Sequence, residues 1–214
     1  MSDSGSGGCC RCCCSFILTS GLTALFMWLS LRTKNPVCSI QKFYVPRLNQ
    51  TAGNATASNN TIYFDLKLDN ENKDKGVYYE PLNLTLYYGS NRSFPVANQT
   101  FPGFYQGHDH SARRRQLVDT HALPWAAALQ NVSDGSRAVF RVDLATTIRF
   151  KILLWKTKKH GLRVSGDVEV DGSGEKVKKK GIRLKSGAPE LQRYRARVGP
   201  LVIVFTLICL VFIG

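Results

Sequence analysis

Thr61-Ile62-Tyr63-Phe64-Asp65-Leu66-Lys67-Leu68-Asp69 alternates apolar and polar side chains after its first residue. Successive side chains of an extended chain point to opposite faces. Ile62, Phe64, Leu66 and Leu68 would therefore line one face and Tyr63, Asp65, Lys67 and Asp69 the other, which is the period of a half-buried strand. The period returns at Leu82, Leu84, Leu86 and Tyr88, at Phe140, Val142 and Leu144, and at Leu162, Val164, Val168 and Val170. Gln41 to Leu48 and Asn91 to Asn98 also read as extended. Arg149 to Trp155 is apolar and aromatic, and Val177, Ile182 and Leu184 suggest one last strand. Asn70 to Gly76 is a charged turn, and Asp134-Gly135 and Asp171-Gly172 are turn signals. Phe101 to His108, with Pro102, Gly103 and Gly107, reads as a loop pinned by its aromatics. Thr120 to Leu129 reads as a short helix. Several short strands, one helix at most and no internal repeat predict a mainly β fold, an antiparallel β-sandwich of immunoglobulin- or fibronectin-like architecture.

Before the strands, the seventeen residues Ser15 to Leu31 carry no charge. With Cys12, Cys13 and Cys14 the uncharged run spans about 30 Å as a helix, the thickness of a bilayer core. It ends Trp28-Leu29-Ser30-Leu31-Arg32, a poor cleavage site, so residues 15–31 are expected to be a transmembrane signal anchor rather than a cleaved leader. Residues 1–14 then form a cysteine-rich cytosolic tail. Cys9, Cys10, Cys12, Cys13 and Cys14 read as palmitoylation sites, with packed thiols or a zinc site as alternatives. The basic flank points the other way. Arg11 alone precedes the helix while Arg32, Lys34, Lys42 and Arg47 follow, which by charge would place the domain in the cytosol.

Seven Asn-x-Ser/Thr triplets outweigh that count. They start at Asn49, Asn54, Asn59, Asn83, Asn91, Asn98 and Asn131, none has a central proline, and all lie between the two apolar ends of the chain. One acceptor triplet is weak; seven so confined predict N-glycosylation of an extracellular domain, residues 35–186. Asn83 falls on the face opposite the leucines of its strand, where a glycan would reach solvent. The C-terminal end carries a second signal. Ser186-Gly187-Ala188 are small, Pro189 to Pro200 is a polar spacer of twelve, and Leu201 to Gly214 is an apolar tail of fourteen. This is the pattern of a glycosylphosphatidylinositol signal over residues 187–214, with attachment at Ser186 or Gly187. A membrane helix of fourteen residues would reach only about 21 Å.

The net charge of +14 is unevenly spread. Residues 35–136 carry 9 basic and 8 acidic side chains, and residues 137–186 carry 14 and 5. Lys156, Lys158 and Lys159, and the run from Lys176 to Lys180, form either a solvated edge or a patch for an acidic cell-wall polysaccharide. Nucleic acid is not an expected partner outside the cell. Cys38 is the one cysteine in the domain, so no disulfide framework holds it, and the thiol would be free to pair with a second chain as a homodimer. His108, Asp109 and His110 resemble metal ligands, but Arg113, Arg114 and Arg115 follow at once and would repel a cation. The histidine cluster reads as a solvated loop, and Arg113 to Arg115 as a site for a dibasic-specific protease. No metal site, catalytic constellation or cofactor is assigned, and the chain is not expected to be an enzyme.

These pieces together resemble the plant non-race-specific disease resistance and harpin-induced-like family, whose outer domain is a late-embryogenesis-abundant type 2 domain. The matching residues are the N-terminal anchor, Cys38-Ser39-Ile40, the Ile62 to Asp69 strand, Lys73-Asp74-Lys75-Gly76-Val77-Tyr78-Tyr79, and Phe104-Tyr105-Gln106-Gly107-His108. The resemblance covers residues 35–184. It departs at Asn70-Glu71-Asn72, where the family usually has Asn-Pro-Asn. The resemblance implies a β-sandwich at the plasma membrane, acting in plant defence signalling and the hypersensitive response through other membrane or cytosolic defence-signalling proteins. A structural tether between membrane and wall is the alternative.

Overall fold

The computed structural model describes residues 15–25, 32–51, 59–92, 94–121, 123–152 and 154–186. The chain divides into two compact units, Thr33–Glu190 and a second made of Met1–Arg32 with Leu191–Gly214. The described part of the second unit is helix α1, residues 15–25, together with Arg32. In α1 the hydroxyls of Thr19, Ser20 and Thr23 each donate to a carbonyl one turn back, so none is left needing water. Among the described residues no helix is long and apolar enough to cross a membrane. Residues 26–31 of the expected anchor lie outside the described residues, as do Cys9, Cys10, Cys12, Cys13, Cys14, Asn54, Gly187 and the apolar tail.

The first unit is built of antiparallel strands: β1 (Val37–Tyr44), β2 (Thr61–Asp69), β3 (Lys75–Tyr79), β4 (Leu82–Tyr88), β5 (Phe94–Phe101), β6 (Phe104–Gln106), β7 (Ser111–Asp119), β8 (Ala138–Ile152), β9 (Trp155–Lys156), β10 (His160–Val170) and β11 (Ile182–Arg183). One helix, α2 (Trp125–Ser133), precedes β8. One sheet runs β11-β1-β2-β7; the other runs β5-β4-β8-β3-β6, with β9 and β10 also on β8. The alternating apolar faces of both sheets meet in one core. Phe43 of β1 packs on Phe140 of β8 with ring centroids 5.5 Å apart, and Phe64 of β2 meets Phe101 of β5 edge-on at 6.2 Å. On one side the backbone after β10 links the sheets, through bridges Tyr44–Glu175 and Val170–Lys176 before β11 and Ser165–Lys185 after it.

Three features differ from the sequence reading. First, the two segments around Phe140 and Phe150 are one fifteen-residue strand, β8, because the alternation continues unbroken through Ala145 to Ile148. Second, the expected loop at Phe101–His108 contains β6. Leu82 faces Phe101 and Tyr79 faces Phe104, so β6 continues the register of β5 past a break at Pro81 and Pro102, which have no N–H for a ladder. Gly103 sits in that break, where an added Cβ would lie 2.7 Å from the Tyr79 carbonyl oxygen. Third, the arginine triplet expected to be open to a protease is part of a strand. It lies in β7, paired with β2 over nine residues, which makes it a poor protease site. Arg113 and Arg115 flank buried Asp65 at 3.6 and 3.5 Å on the outer face, while Arg114 lies over the Phe104 ring at 4.1 Å.

The β2–β3 turn is held by two buried asparagines. Asn70 Nδ2 donates to the carbonyls of Lys75 (2.7 Å) and Gly107 (2.9 Å), and its Oδ1 accepts from the Asn72 backbone N–H (3.2 Å) and Nδ2 (2.8 Å). Asn72 then exchanges a pair of hydrogen bonds with the Lys34 backbone, at 2.8 and 2.9 Å. The turn departs from the family pattern only at Glu71, whose side chain is exposed. The two residues that carry the bonds are kept. Asn70→Ala leaves several buried backbone groups without partners and is expected to cost about 2–3 kcal/mol in urea unfolding. Glu71→Ala should shift the midpoint negligibly.

Candidate functional site

Among the described residues no group of three His, Cys, Asp or Glu side chains is arranged to hold a metal ion. His108 and His110 lie 6.3 Å apart ring to ring, and His110 Nδ1 is 2.6 Å from the His108 carbonyl oxygen. What distinguishes this unit is the segregation of its features between two opposite poles.

The chain enters and leaves at one pole. Val37 pairs with Asp69, at the start of β1 and the end of β2. β11 runs antiparallel to β1, with Ser39 facing Arg183, so the chain travels back toward the point of entry. Asn35, Pro36, Lys185 and Ser186 line one open cleft of about 560 Å³. The expected attachment residue Ser186 is thus exposed beside the entry of the chain. The β8–β9 hairpin is at the same pole, since Lys75, just after the asparagine turn, faces Ile152.

The described asparagines of the Asn-x-Ser/Thr triplets lie elsewhere. Asn49 and Asn59 sit near the far ends of β1 and β2, Asn91 in the β4–β5 turn, and Asn131 on α2, where Nδ2 donates to Tyr88 Oη at 3.0 Å. Asn49 and Asn59 are half-buried; each Oδ1 accepts from both the backbone N–H and the hydroxyl of the threonine two residues on, an Asx turn. Asn83 and Asn98 are exposed on the β4–β5 hairpin in reciprocal register. Asn83 faces Thr100, with a 2.9 Å hydrogen bond, and Thr85 faces Asn98, so each triplet's threonine opposes the other's asparagine. The two asparagines are diagonal neighbours, about 7–8 Å apart. β5 is a sheet edge. Glycans here would cover unpaired backbone that otherwise invites strand addition.

The expected lysine patch is partly occupied. Lys156 lies over the Tyr78 ring at 4.2 Å, and Lys159 Nζ is 2.6 Å from Glu80 Oε1. That hydrogen bond is the main reason the Glu80 carboxyl titrates below its usual range. Lys158 is exposed. In the second run, Lys176 Nζ donates to the carbonyls of Lys178, Lys179 and Lys180, and burial lowers its pKa. Lys176 therefore shapes the loop that displays Lys178, Lys179 and Lys180. Elsewhere Arg141 of β8 contacts Asp143 (3.2 Å) and Asp167 (3.1 Å), and Arg137, just before β8, contacts Glu169 (2.6 Å).

Cys38 corrects an expectation. It faces the core opposite Leu68, 1% exposed, and its thiol is free. Burial first, and the nearby Asp69 carboxylate second, push its pKa up to about 12. An intermolecular disulfide through Cys38 would require the strand to leave the sheet. The sequence reading missed this because the strand period was not extended back through Cys38 and Ile40.

The unit is thus an all-antiparallel, two-sheet domain whose two chain ends share one pole. Searched against family models, the chain matches none. It is 46% identical over 187 residues to Protein NDR1 of Arabidopsis thaliana, covering 85% of this chain and 84% of that protein. It is 28% identical over 162 residues to NDR1/HIN1-like protein 3 of the same plant, covering 70% and 65%. NDR1/HIN1-like protein 2 is 30% identical over 145 residues, covering 63% and 57%. The chain belongs to the NDR1/HIN1-like family.

The buried thiol sets a pH dependence. Cys38 ionises near pH 9 when unfolded and near pH 12 when folded. Its contribution is complete below pH 9 and is lost as pH rises from about 9 to about 12. Tyr79, raised chiefly by its own burial, adds in the same direction. Unfolding midpoints should fall over that range, less steeply in Cys38→Ala. Native thiol labelling read by peptide mass should leave Cys38 unmodified until denaturant is added.

Proposed function

We propose that this protein is a plasma-membrane glycoprotein of plant defence that works by protein interaction and not by catalysis. The observation that carries this is the segregation of the two poles. The chain enters and leaves the β-domain at one end, and every described acceptor asparagine lies along the edge hairpin or toward the other. A domain tied to a bilayer at the first pole would hold its glycans away from the lipid. In this reading residues 1–14 are the cytosolic tail, with Cys9 to Cys14 acylated, and residues 15–31 are the anchor. Residues 35–186 are the ectodomain, a β-sandwich of the late-embryogenesis-abundant type 2 kind, and residues 187–214 are a lipid-anchor signal acting at Ser186 or Gly187. The back-bonded hydroxyls of α1 support an apolar environment for that helix. The defence role rests on the family: the resemblance implies it, and the chain covers most of Protein NDR1. Partners would be other membrane proteins, or cytosolic signalling proteins reached through the short tail.

A glycosidase digestion tests the orientation. The full chain made in plant cells should lose several glycans' mass on treatment with an N-glycan-removing enzyme. Asn83→Gln and Asn98→Gln should each remove one step. An unchanged mobility would return the domain to the cytosol, as the basic flank suggested.

One observation favours the alternative, a tether to the wall. An open cleft of about 560 Å³ beside β1 and β2 joins Tyr44 and Tyr63 to Lys42, Lys176 and Lys179, with Glu175 the one carboxylate among the described lining residues. Aromatic rings beside ammonium groups suit an acidic sugar polymer. On a polygalacturonate matrix, Lys42→Ala with Lys179→Ala should elute at lower salt than the parent. The variant lacking the charges of Lys156, Lys158 and Lys159 should shift less. Equal elution of all three would remove this reading.

A further inference from the structure

The tip of the β8–β9 hairpin exposes what the rest of the domain buries. Leu154 is 95% exposed and Trp155 64% exposed, at the end of a strand whose core-side residues are almost fully covered. Such a pair on a tight turn does not contribute to the core. The residues around it are of one kind. Lys156 lies over the Tyr78 ring, Tyr78 packs against Tyr105 at a tilt of 41° with centroids 4.5 Å apart, and Lys151 lies 5.8 Å from the Tyr105 ring centroid. Tyr105 lies across Gly76, where an added Cβ would be 2.2 Å from the tyrosine hydroxyl. The missing side chain at Gly76 therefore makes room for the Tyr105 ring beside Tyr78. An exposed leucine and tryptophan, rimmed by tyrosines and lysines, is the composition that settles at the boundary between lipid headgroups and acyl chains. The indole and aliphatic parts enter the apolar layer while ammonium groups stay at the phosphates.

The position of the hairpin selects this occupant over others. The tip lies at the pole where the chain enters at residues 34–37 and leaves at Ser186. If membrane segments precede the domain and a lipid anchor follows it, whatever faces this pole is a bilayer. The described acceptor asparagines do not approach it.

We infer that the Leu154–Trp155 hairpin inserts into the headgroup region of the same membrane that anchors the chain, as a third point of attachment that fixes the tilt of the domain. Attachment at two neighbouring chain ends alone would not set the tilt of the domain. A third contact, set apart from the other two on the β8–β9 hairpin, holds one face toward the bilayer. It also keeps the β4–β5 hairpin with its glycans turned outward. This rests on the membrane-anchored reading above, and the test separates the two.

The full chain is reconstituted into phosphatidylcholine vesicles carrying brominated acyl chains, with and without phosphatidylserine, and tryptophan emission is compared with that in unbrominated vesicles. The protein has three tryptophans: Trp28, Trp125 and Trp155. Trp125 starts α2 at the far pole and serves as the control. The expected result is that bromine quenching includes a component lost in Trp155→Phe and retained in Trp125→Phe. Leu154→Ser should reduce that component. Anionic lipid should strengthen it through Lys151 and Lys156, with a salt dependence. If the protein floats with the vesicles but Trp155→Phe quenches like the parent, the inserted hairpin is wrong and a protein partner at the tip takes its place. If the protein does not float, the membrane-anchored reading fails and takes the inference with it.

Discussion

The fold turns on two asparagine side chains at one end of the domain. Asn70 and Asn72 bind each other and reach three separated stretches of backbone: the entering chain at Lys34, the start of β3 at Lys75, and the β6–β7 turn at Gly107. A buried amide has four hydrogen-bonding sites, and leaving them empty costs more than filling them gains. The network is therefore close to all-or-none. It fixes where the chain enters β1, which fixes the register of β1 on β2, and through β1 the path of β11. Among the described residues no disulfide does this work, since Cys38 is free.

The two-pole arrangement follows from that constraint. Because β11 is antiparallel to β1, the chain must leave near the place it came in. The outer faces and the far pole are then left for display. The edge strand β5 carries Asn98 opposite the threonine of another acceptor triplet, so shielding of the edge and placement of glycans would coincide on one hairpin. Part of the cationic charge in the second half of the domain is engaged within the domain itself, as ion pairs of Arg137 and Arg141 with Glu169, Asp143 and Asp167 and as the Lys176 ammonium that shapes its own loop.

The β class was legible wherever one sheet face is buried, because alternation is a direct record of which side chains leave water. Thr61–Asp69 and His160–Val170 were readable for that reason. The reading failed where another requirement overrode the period. In β7 three consecutive arginines hid an alternation in which Arg113 and Arg115 meet Asp65 while Arg114 covers Phe104. In β6, Pro102 and Gly103 signalled a loop, although the register passes through them. Cys38 was judged by its compartment and not by its strand. The tip at Leu154 and Trp155 was assigned to a strand because nothing in the local sequence separates an apolar residue that is buried from one that is offered to solvent.

The account stands on the far pole lying outside the cell. Ser136, between α2 and β8, is exposed there and makes no bond that the fold depends on. A Ser136→Cys variant of the full chain, expressed in plant cells, would be treated as intact protoplasts with a membrane-impermeant maleimide. The account predicts labelling of intact cells by the variant and none by the parent: Cys38 is buried, Cys9 to Cys14 would face the cytosol, and Cys209 would be removed with the lipid-anchor signal. Labelling of the variant only after the membrane is permeabilised would contradict it.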